Sequence, residues 1–175
     1  SDVEKVVDEV REKVKRDKED NRRVAKEARE LVKESSEKLE RLVTEVKKLI
    51  KTIEKLVRDG VDKRDLERKL REVEEEVKKM ADRLREENEK ILRDLEEMVK
   101  ESRERNERIK DEVRKLNVDD ELLKEIDKLI KESKKETDDL LKEIKDLIDE
   151  NKRRIDKLLR EIEKLARKVK RDIEK

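Results

Sequence analysis

The sequence contains no histidine, no cysteine, no proline and no aromatic residue, and its one glycine is Gly60. Zinc, haem and iron–sulfur sites depend on imidazole or thiolate ligands, so none of these sites can be built here. Disulfides are excluded as well, and the redox environment is left open. We therefore expect no metal, no cofactor and no catalytic residue that relies on imidazole or thiol chemistry.

Several partner classes are also disfavoured by what is missing. Lysine and arginine number 54 against 53 acids, and the two signs alternate along the chain, so no basic field for nucleic acid arises. Aromatic side chains that could stack on bases are absent. No apolar run exceeds two residues, which is far short of a membrane span. The start at Ser1–Asp2 shows no secretory signal pattern, and we expect a soluble protein suited to recombinant cytoplasmic expression.

What the sequence does contain is charge and helical periodicity. Charged residues make up 61% of the 175 residues, compared with roughly 25% in ordinary globular domains. Apolar residues recur at steps of three and four, which places them on one face of a helix. Three such stripes predict helices at about 2–58, 62–116 and 119–174.

The connections between the predicted helices are marked by capping residues. Ser1 or Asp2 is expected to cap the first helix, and Gly60 to end it in a left-handed conformation. Asp62 and Asp119 are predicted N-caps, and Asn117 is predicted to follow the second helix as Gly60 follows the first. Connections of two to four residues force neighbouring helices to run antiparallel. The predicted fold is all-α, an up-down-up antiparallel three-helix bundle of long, nearly straight helices, forming a single domain over residues 1–175.

Nine polar residues interrupt the apolar stripes, and their numbering is correlated. Residues at one level of an antiparallel helix pair have numbers with a constant sum. Paired polar residues add up to 123 between the first and second helices, and to 239 between the second and third. The sequence thus predicts three polar layers, which we call the Asp17 layer (Asp17, Asn106, Ser133), the Asn21 layer (Asn21, Ser102, Thr137) and the Ser35 layer (Ser35, Asn88, Asn151).

The spacing within each helix predicts the geometry of the bundle. Polar residues recur 18 residues apart, as from Asp17 to Ser35, from Asn88 to Asn106 and from Ser133 to Asn151. Eighteen residues over five turns is the repeat of a straight helix, whereas a heptad imposes a left-handed supercoil.

Buried amides and hydroxyls without partners cost roughly 1–3 kcal/mol each, so we expect the members of a layer to bond to one another. The benefit of such a network is specificity, because a shifted register leaves its groups unsatisfied. The alternative is a polar ligand or ion site inside the bundle. It is disfavoured because no layer offers more than the one carboxylate of Asp17.

Together these features resemble computationally designed helical bundles with buried hydrogen-bond networks. The resemblance lies in the Asn/Ser/Thr layers, the 18-residue repeat, the aspartate caps and the Glu/Lys/Arg surface, and it covers the whole chain as a match of style. Spectrin-type repeats also have three long helices, but they carry aromatic core residues that are absent here. The resemblance implies a scaffold made to fold, with no evolved substrate.

An enzyme is disfavoured because Ser35, Ser102 and Ser133 have no histidine to activate them. The stronger alternative is a self-assembling or partner-binding bundle, with no partner required for folding. Several apolar positions are doubled, and we expect the first residue of each doublet, such as Leu31 or Leu49, to face the core. The second residues on the first helix (Val32, Val43, Ile50 and Val57) would then flank the core or form a seam in a homo-oligomer.

Overall fold

The computed structural model describes residues 2–175 and contains three long helices. They are α1 (Asp2–Arg58), α2 (Lys63–Lys115) and α3 (Asp120–Glu174), so the predicted all-α three-helix fold is confirmed and its boundaries are met within one residue. The cap predicted at Ser1 lies outside the described residues. None of the three helices combines the length and apolar character that a membrane span requires.

Gly60 ends α1 as the sequence predicts. Its φ is 81°, a region that side chains with a Cβ rarely adopt. The Gly60 amide donates to the Val57 carbonyl at 3.2 Å, and the Val61 amide donates to the Leu56 carbonyl at 3.2 Å. These two bonds form a Schellman motif, which satisfies carbonyls that the end of the helix would otherwise leave unpaired.

Both aspartate caps form. Asp62 Oδ1 accepts a hydrogen bond from the Arg64 amide at 3.0 Å, and Asp119 Oδ1 accepts one from the Leu122 amide at 2.9 Å. Each carboxylate therefore satisfies an amide in the first turn and lies at the positive end of the helix dipole.

Asn117 follows the last residue of α2 by two positions, as Gly60 follows the last residue of α1, but the left-handed conformation expected for it is wrong. Within residues 2–175 only Gly60 has a positive φ, so Asn117 does not adopt the left-handed conformation. Instead α2 ends at Lys115, and the Val118 amide donates to the Leu116 carbonyl at 2.8 Å in a tight turn. Asparagine tolerates the left-handed region but does not require it, whereas this three-residue turn closes the connection without it.

Buried positions recur every 18 residues along each helix. Examples are Val14, Val32 and Ile50 on α1, which are 1–4% exposed. Eighteen residues span five turns, so each recurrence returns to the same helix face. The same recurrence relates Leu66 to Leu84 on α2.

The doubled apolar positions are oriented opposite to the expectation. In ten doublets the second residue is buried, while the first is half-buried or exposed: Leu31 is 51% exposed and Leu49 is 49% exposed. The buried second residues are Val7, Ala25, Val32, Val43, Ile50, Ala81, Val99, Ile130, Ile148 and Ala166. In other doublets, such as Leu56–Val57, both residues are partly buried. A stripe of steps of three and four can be drawn through either member, and the two choices differ by about 100° of helix rotation.

Two compact units divide the three helices. Unit 1 comprises Ser1–Glu30 and Lys90–Leu147, and unit 2 comprises Leu31–Glu89 and Ile148–Lys175. Each unit contains a segment of every helix. The single domain over residues 1–175 stays a prediction.

Side-chain contacts give the helix directions within unit 1. Ion pairs between α1 and α3 join residues 114 apart, including Arg11–Glu125 and Arg29–Glu143, so these two helices run parallel. In the contacts of α2 with α1 and with α3, residue numbers rise along one helix as they fall along the other, and Asn21–Ser102 is one of these contacts. The segments of unit 1 therefore run up, down and up.

Unit 2 carries the larger apolar core. Fifteen buried aliphatic residues form one cluster in unit 2, whereas the cluster in unit 1 has six. The unit 1 cluster consists of Val7, Val10, Val14, Val113, Ile126 and Ile130. Unit 1 contains two of the predicted polar layers and unit 2 contains one, so polar residues take more of the interior positions in unit 1.

Candidate functional site: the buried polar layers

The nine polar residues singled out in the sequence lie inside the helical units. Eight are at most 4% exposed: Asn21, Ser35, Asn88, Ser102, Asn106, Ser133, Thr137 and Asn151. The Asp17 side chain is 11% exposed. The residues of the Asn21 and Ser35 layers correspond to buried aliphatic residues one 18-residue repeat away, as Asn21 corresponds to Leu39, whereas those of the Asp17 layer correspond to the Ser35 layer.

Asp17 joins the Asn21 layer rather than its own. Asn21 Nδ2 donates to Ser102 Oγ at 3.1 Å and lies 3.4 Å from Asp17 Oδ2. Ser102 Oγ also donates a short hydrogen bond to Asp17 Oδ2. Thr137 turns away from this network, because its hydroxyl donates to the Lys134 carbonyl of its own helix at 2.9 Å.

Arg105 completes this network and was missed at the sequence level. Its Nε and Nη2 donate to Asp17 Oδ1 at 3.1 and 2.6 Å. The Arg105 side chain is 44% exposed, so a surface cation neutralises a nearly buried carboxylate. The only available signal was the position of Arg105, one residue before Asn106 and near the level of Asp17.

The rest of the Asp17 layer is a single bond. Asn106 Nδ2 donates to Ser133 Oγ at 3.4 Å, a long and weak contact. Asn106 Oδ1 is buried and has no hydrogen-bond partner. The predicted triad is thus reduced to a pair.

The Ser35 layer has no hydrogen bond among its side chains. Ser35 Oγ and both the nitrogen and the oxygen of the Asn88 and Asn151 amides are buried without a partner. Asn88 is 0% exposed and Asn151 is 4% exposed. The structure therefore brings these residues into the interior of unit 2 but does not pair them.

Ion pairs between α1 and α3 run beside the layers. In unit 1 the pairs are Arg11–Glu125, Lys18–Glu132, Arg22–Glu136 and Arg29–Glu143, and in unit 2 they are Lys47–Glu161 and Glu40–Arg154. The cation is on α1 in five of these pairs and on α3 in one. We call these six pairs the α1–α3 ladder.

The ion pairs of the ladder raise the pKa values of its arginines on α1. The hydrogen bonds from Arg29 Nε and Nη2 to Glu143, at 2.6 and 2.9 Å, raise the pKa of Arg29, although partial burial opposes them. The pKa of Arg22 is raised by Glu136 for the same reason. Each guanidinium gains because its charged form is the one that donates to the carboxylate.

The grooves of the described chain offer little for catalysis. A groove of 510 Å³ in unit 1 is open to solvent and lined by seven charged side chains, with Asn106 and Ile109. No group of three or more acids that could hold a metal ion occurs within residues 2–175. The Ser102 hydroxyl donates to Oδ2 of Asp17, and Arg105 occupies the other oxygen of that carboxylate.

Comparison with known proteins gives a structural likeness. No family model matches the sequence, and no curated protein matches it. Among solved structures, the chain is similar to a computationally designed three-helix bundle, with 24% sequence identity and a TM-score of 0.48. The match covers 98% of this chain and 83% of the other.

Proposed function

We propose that this protein is a designed structural scaffold, without enzymatic activity, in which buried polar layers specify how the helices align. The observation that carries this proposal is the recurrence of burial every 18 residues, broken by polar residues at matched levels of the helices. Composition supports it, because 61% charge with no aromatic, histidine or cysteine residue departs from natural usage.

The physical argument concerns shifted registers. The aliphatic stripes alone tolerate a shift by one or two helical turns, because each stripe repeats at steps of three and four. A shift of that size places Asn21 against aliphatic side chains and removes its bond to Ser102. Each buried polar group left without its partner costs roughly 1–3 kcal/mol, so shifted arrangements are disfavoured.

Spin labels in unit 2 test the alignment directly. The chain has no cysteine, so exposed Lys51 on α1 and Lys79 on α2 can each be replaced with Cys and labelled without background. We expect one narrow distance distribution in this protein. In a variant carrying S35I, N88L and N151V, we expect a broad or multiple distribution, because the Ser35 layer is gone.

Equal, narrow distributions in both proteins would contradict the proposal. Alignment would then be set by aliphatic packing and by the short connections at Gly60 and Asn117. A matched control carries the same labels with the exposed substitution Lys38→Ala, which leaves the layer unchanged and is expected to behave as the parent.

A second candidate function is self-assembly through α1. Leu31 and Leu49 are 51% and 49% exposed and lie one 18-residue repeat apart, on one face of the helix. Contiguous exposed apolar patches are typical of contact surfaces, whereas single exposed apolar residues are common on any protein, so this candidate ranks below the scaffold. Of the residues first considered for a seam, Val32, Val43 and Ile50 are buried and unavailable for it. The fourth, Val57, is only partly buried.

Sedimentation equilibrium distinguishes the two candidate functions. A scaffold that acts as a monomer keeps a mass of 21.2 kDa over the whole concentration range. An assembly component shows a larger mass that returns to the monomer value when Leu31 and Leu49 are both replaced with Lys. A larger mass that persists in this variant would exclude these two leucines as the contact.

A further inference from the structure

The three residues of the Ser35 layer lie at one level of unit 2. In unit 1, the ion pairs of the α1–α3 ladder join residues 114 apart, and Asn21 contacts Ser102 while Asn106 contacts Ser133. The residue numbers of these two polar contacts add up to 123 between α1 and α2 and to 239 between α2 and α3. Unit 2 has the same 114-residue offset, so α1 and α3 are aligned there as they are in unit 1.

The α2–α3 ion pairs give the same result. Arg85–Asp156 in unit 2 and Arg103–Asp138 in unit 1 have residue numbers with the same sum. Ser35, Asn88 and Asn151 are therefore neighbours across the interior, although no bond joins them.

We expect this level to have more room than its three side chains fill. One repeat away, the matching level of unit 2 holds Ile53, Leu70 and Val169, which are 4%, 3% and 1% exposed. In the Ser35 layer, each of these residues is replaced by a smaller one. At equal helix spacing, the difference in side-chain volume leaves interior space.

The space is polar on all three sides. Five buried nitrogen and oxygen atoms face it from three helices, and none has a protein partner. Two carboxamides and one hydroxyl supply both donors and acceptors. Buried groups of this kind are satisfied by partners in the protein or by ordered water, which takes two to four hydrogen bonds.

We propose that the Ser35 layer is an internal water site, in which at least one water molecule bridges the Asn88 and Asn151 carboxamides and the Ser35 hydroxyl. The inference holds whether or not the layer specifies the helix register. It distinguishes the Ser35 layer from the Asn21 layer, where Ser102 bonds directly to protein groups.

The test is the detection of long-lived water at neighbouring methyl groups by NMR. Leu84 and Ile155 lie one helical turn from Asn88 and Asn151 and are at most 1% exposed. We expect water–methyl cross-peaks at both, with the signs of a bound water in NOE and ROE spectra. Their absence in the full chain would overturn the proposal.

Two controls make the assignment specific. Val77 and Ile162 are buried at an aliphatic level of unit 2 and should show no water cross-peak. The second control is the variant carrying S35I, N88L and N151V, which removes every proposed partner of the water. Loss of the cross-peaks in this variant supports the water site, and cross-peaks that persist overturn it.

A crystal structure of the full chain gives an independent decision. Ordered density within hydrogen-bond distance of Asn88 and Asn151 is the expected result. A direct bond between the two carboxamides, with no water between them, would overturn the proposal.

Discussion

Arg105 donates two hydrogen bonds to a single oxygen of Asp17, from Nε at 3.1 Å and from Nη2 at 2.6 Å. Because the Asp17 carboxylate is nearly buried, loss of Arg105 leaves it with only Ser102 and Asn21 as partners. We expect Arg105→Ala to lower the free energy of unfolding by roughly 1–3 kcal/mol, measured by guanidinium denaturation.

The matched control is Arg23→Ala. Arg23 pairs with Asp20 on the same helix, and both side chains are more than 60% exposed. Exposed pairs of this kind contribute at most about 1 kcal/mol. Equal effects of the two substitutions would mean that Asp17 gains nothing from its burial beside Arg105.

Replacing the whole Ser35 layer with the residues of its aliphatic counterpart should stabilise the protein. The variant carrying S35I, N88L and N151V buries additional apolar surface and removes five polar atoms without protein partners. We expect the free energy of unfolding to rise by at least roughly 1 kcal/mol. An unchanged or lower value in denaturant titration would show that the polar layer, with any water bound to it, stabilises the fold as well as aliphatic packing does.

The single substitution Asn88→Ala should act in the opposite direction. It deletes the carboxamide without filling the space, and it leaves Asn151 and Ser35 in the interior. We expect a loss of roughly 1–3 kcal/mol in the same titration. A variant as stable as the parent would indicate that the helices close over the site.

Hydrogen exchange should differ between the units. The core cluster of unit 2 has fifteen buried aliphatic residues, and that of unit 1 has six. Local opening is easier where less apolar surface is buried. On α1, we expect amides near Asn21 to exchange faster than amides near Val46, with both segments far from the helix ends. Equal protection would show that the helices open only as a whole.

The contribution of the α1–α3 ladder to stability should depend on the pairing of opposite charges. Reversing Arg29 to Glu or Glu143 to Arg creates a like-charge pair, and each change should lower the denaturation midpoint. The double reversal should restore most of the loss, and high salt should reduce all three differences. Additive losses in the double variant would contradict the pairing.

The same pair sets an expectation for pH. The pKa of Arg29 is raised above its ordinary value by its hydrogen bonds to Glu143. A raised pKa of a cation stabilises the fold fully at any pH below the unfolded-state value, and the contribution is lost as pH rises through the folded-state value. Ionisation of Arg29 should therefore leave the denaturation midpoint unchanged across neutral and moderately alkaline pH. A loss of the Arg29–Glu143 coupling within that range would be inconsistent with the observed geometry.

The helices and the register were predictable because both follow from periodicity. Gly60, Asp62 and Asp119 are local signals that mark helix ends. The sums of 123 and 239 are satisfied in the structure by the contacts Asn21–Ser102 and Asn106–Ser133. Helix rotation was not predictable to the same degree. Leu31 and Val32 are adjacent in the sequence and both aliphatic, so either could face the core. Packing against the other helices places Val32 there.

The partners of the polar residues were also beyond sequence reasoning. Asp17 is bound by Arg105, an arginine on the helix surface, among 54 cations of which any nearby one could have served. Thr137 bonds to the Lys134 carbonyl, which every helical threonine can do. Such choices depend on side-chain rotamers and desolvation rather than on spacing.

The 18-residue recurrence makes helix length an adjustable property of this architecture. A block of five turns inserted into all three helices would lengthen each by about 27 Å and return every following residue to its original face. The inserted level could copy either the Ile53, Leu70 and Val169 set or the Ser35 layer. The length of the helices and the polarity of the interior could thus be chosen independently, by inserting segments that the chain already contains.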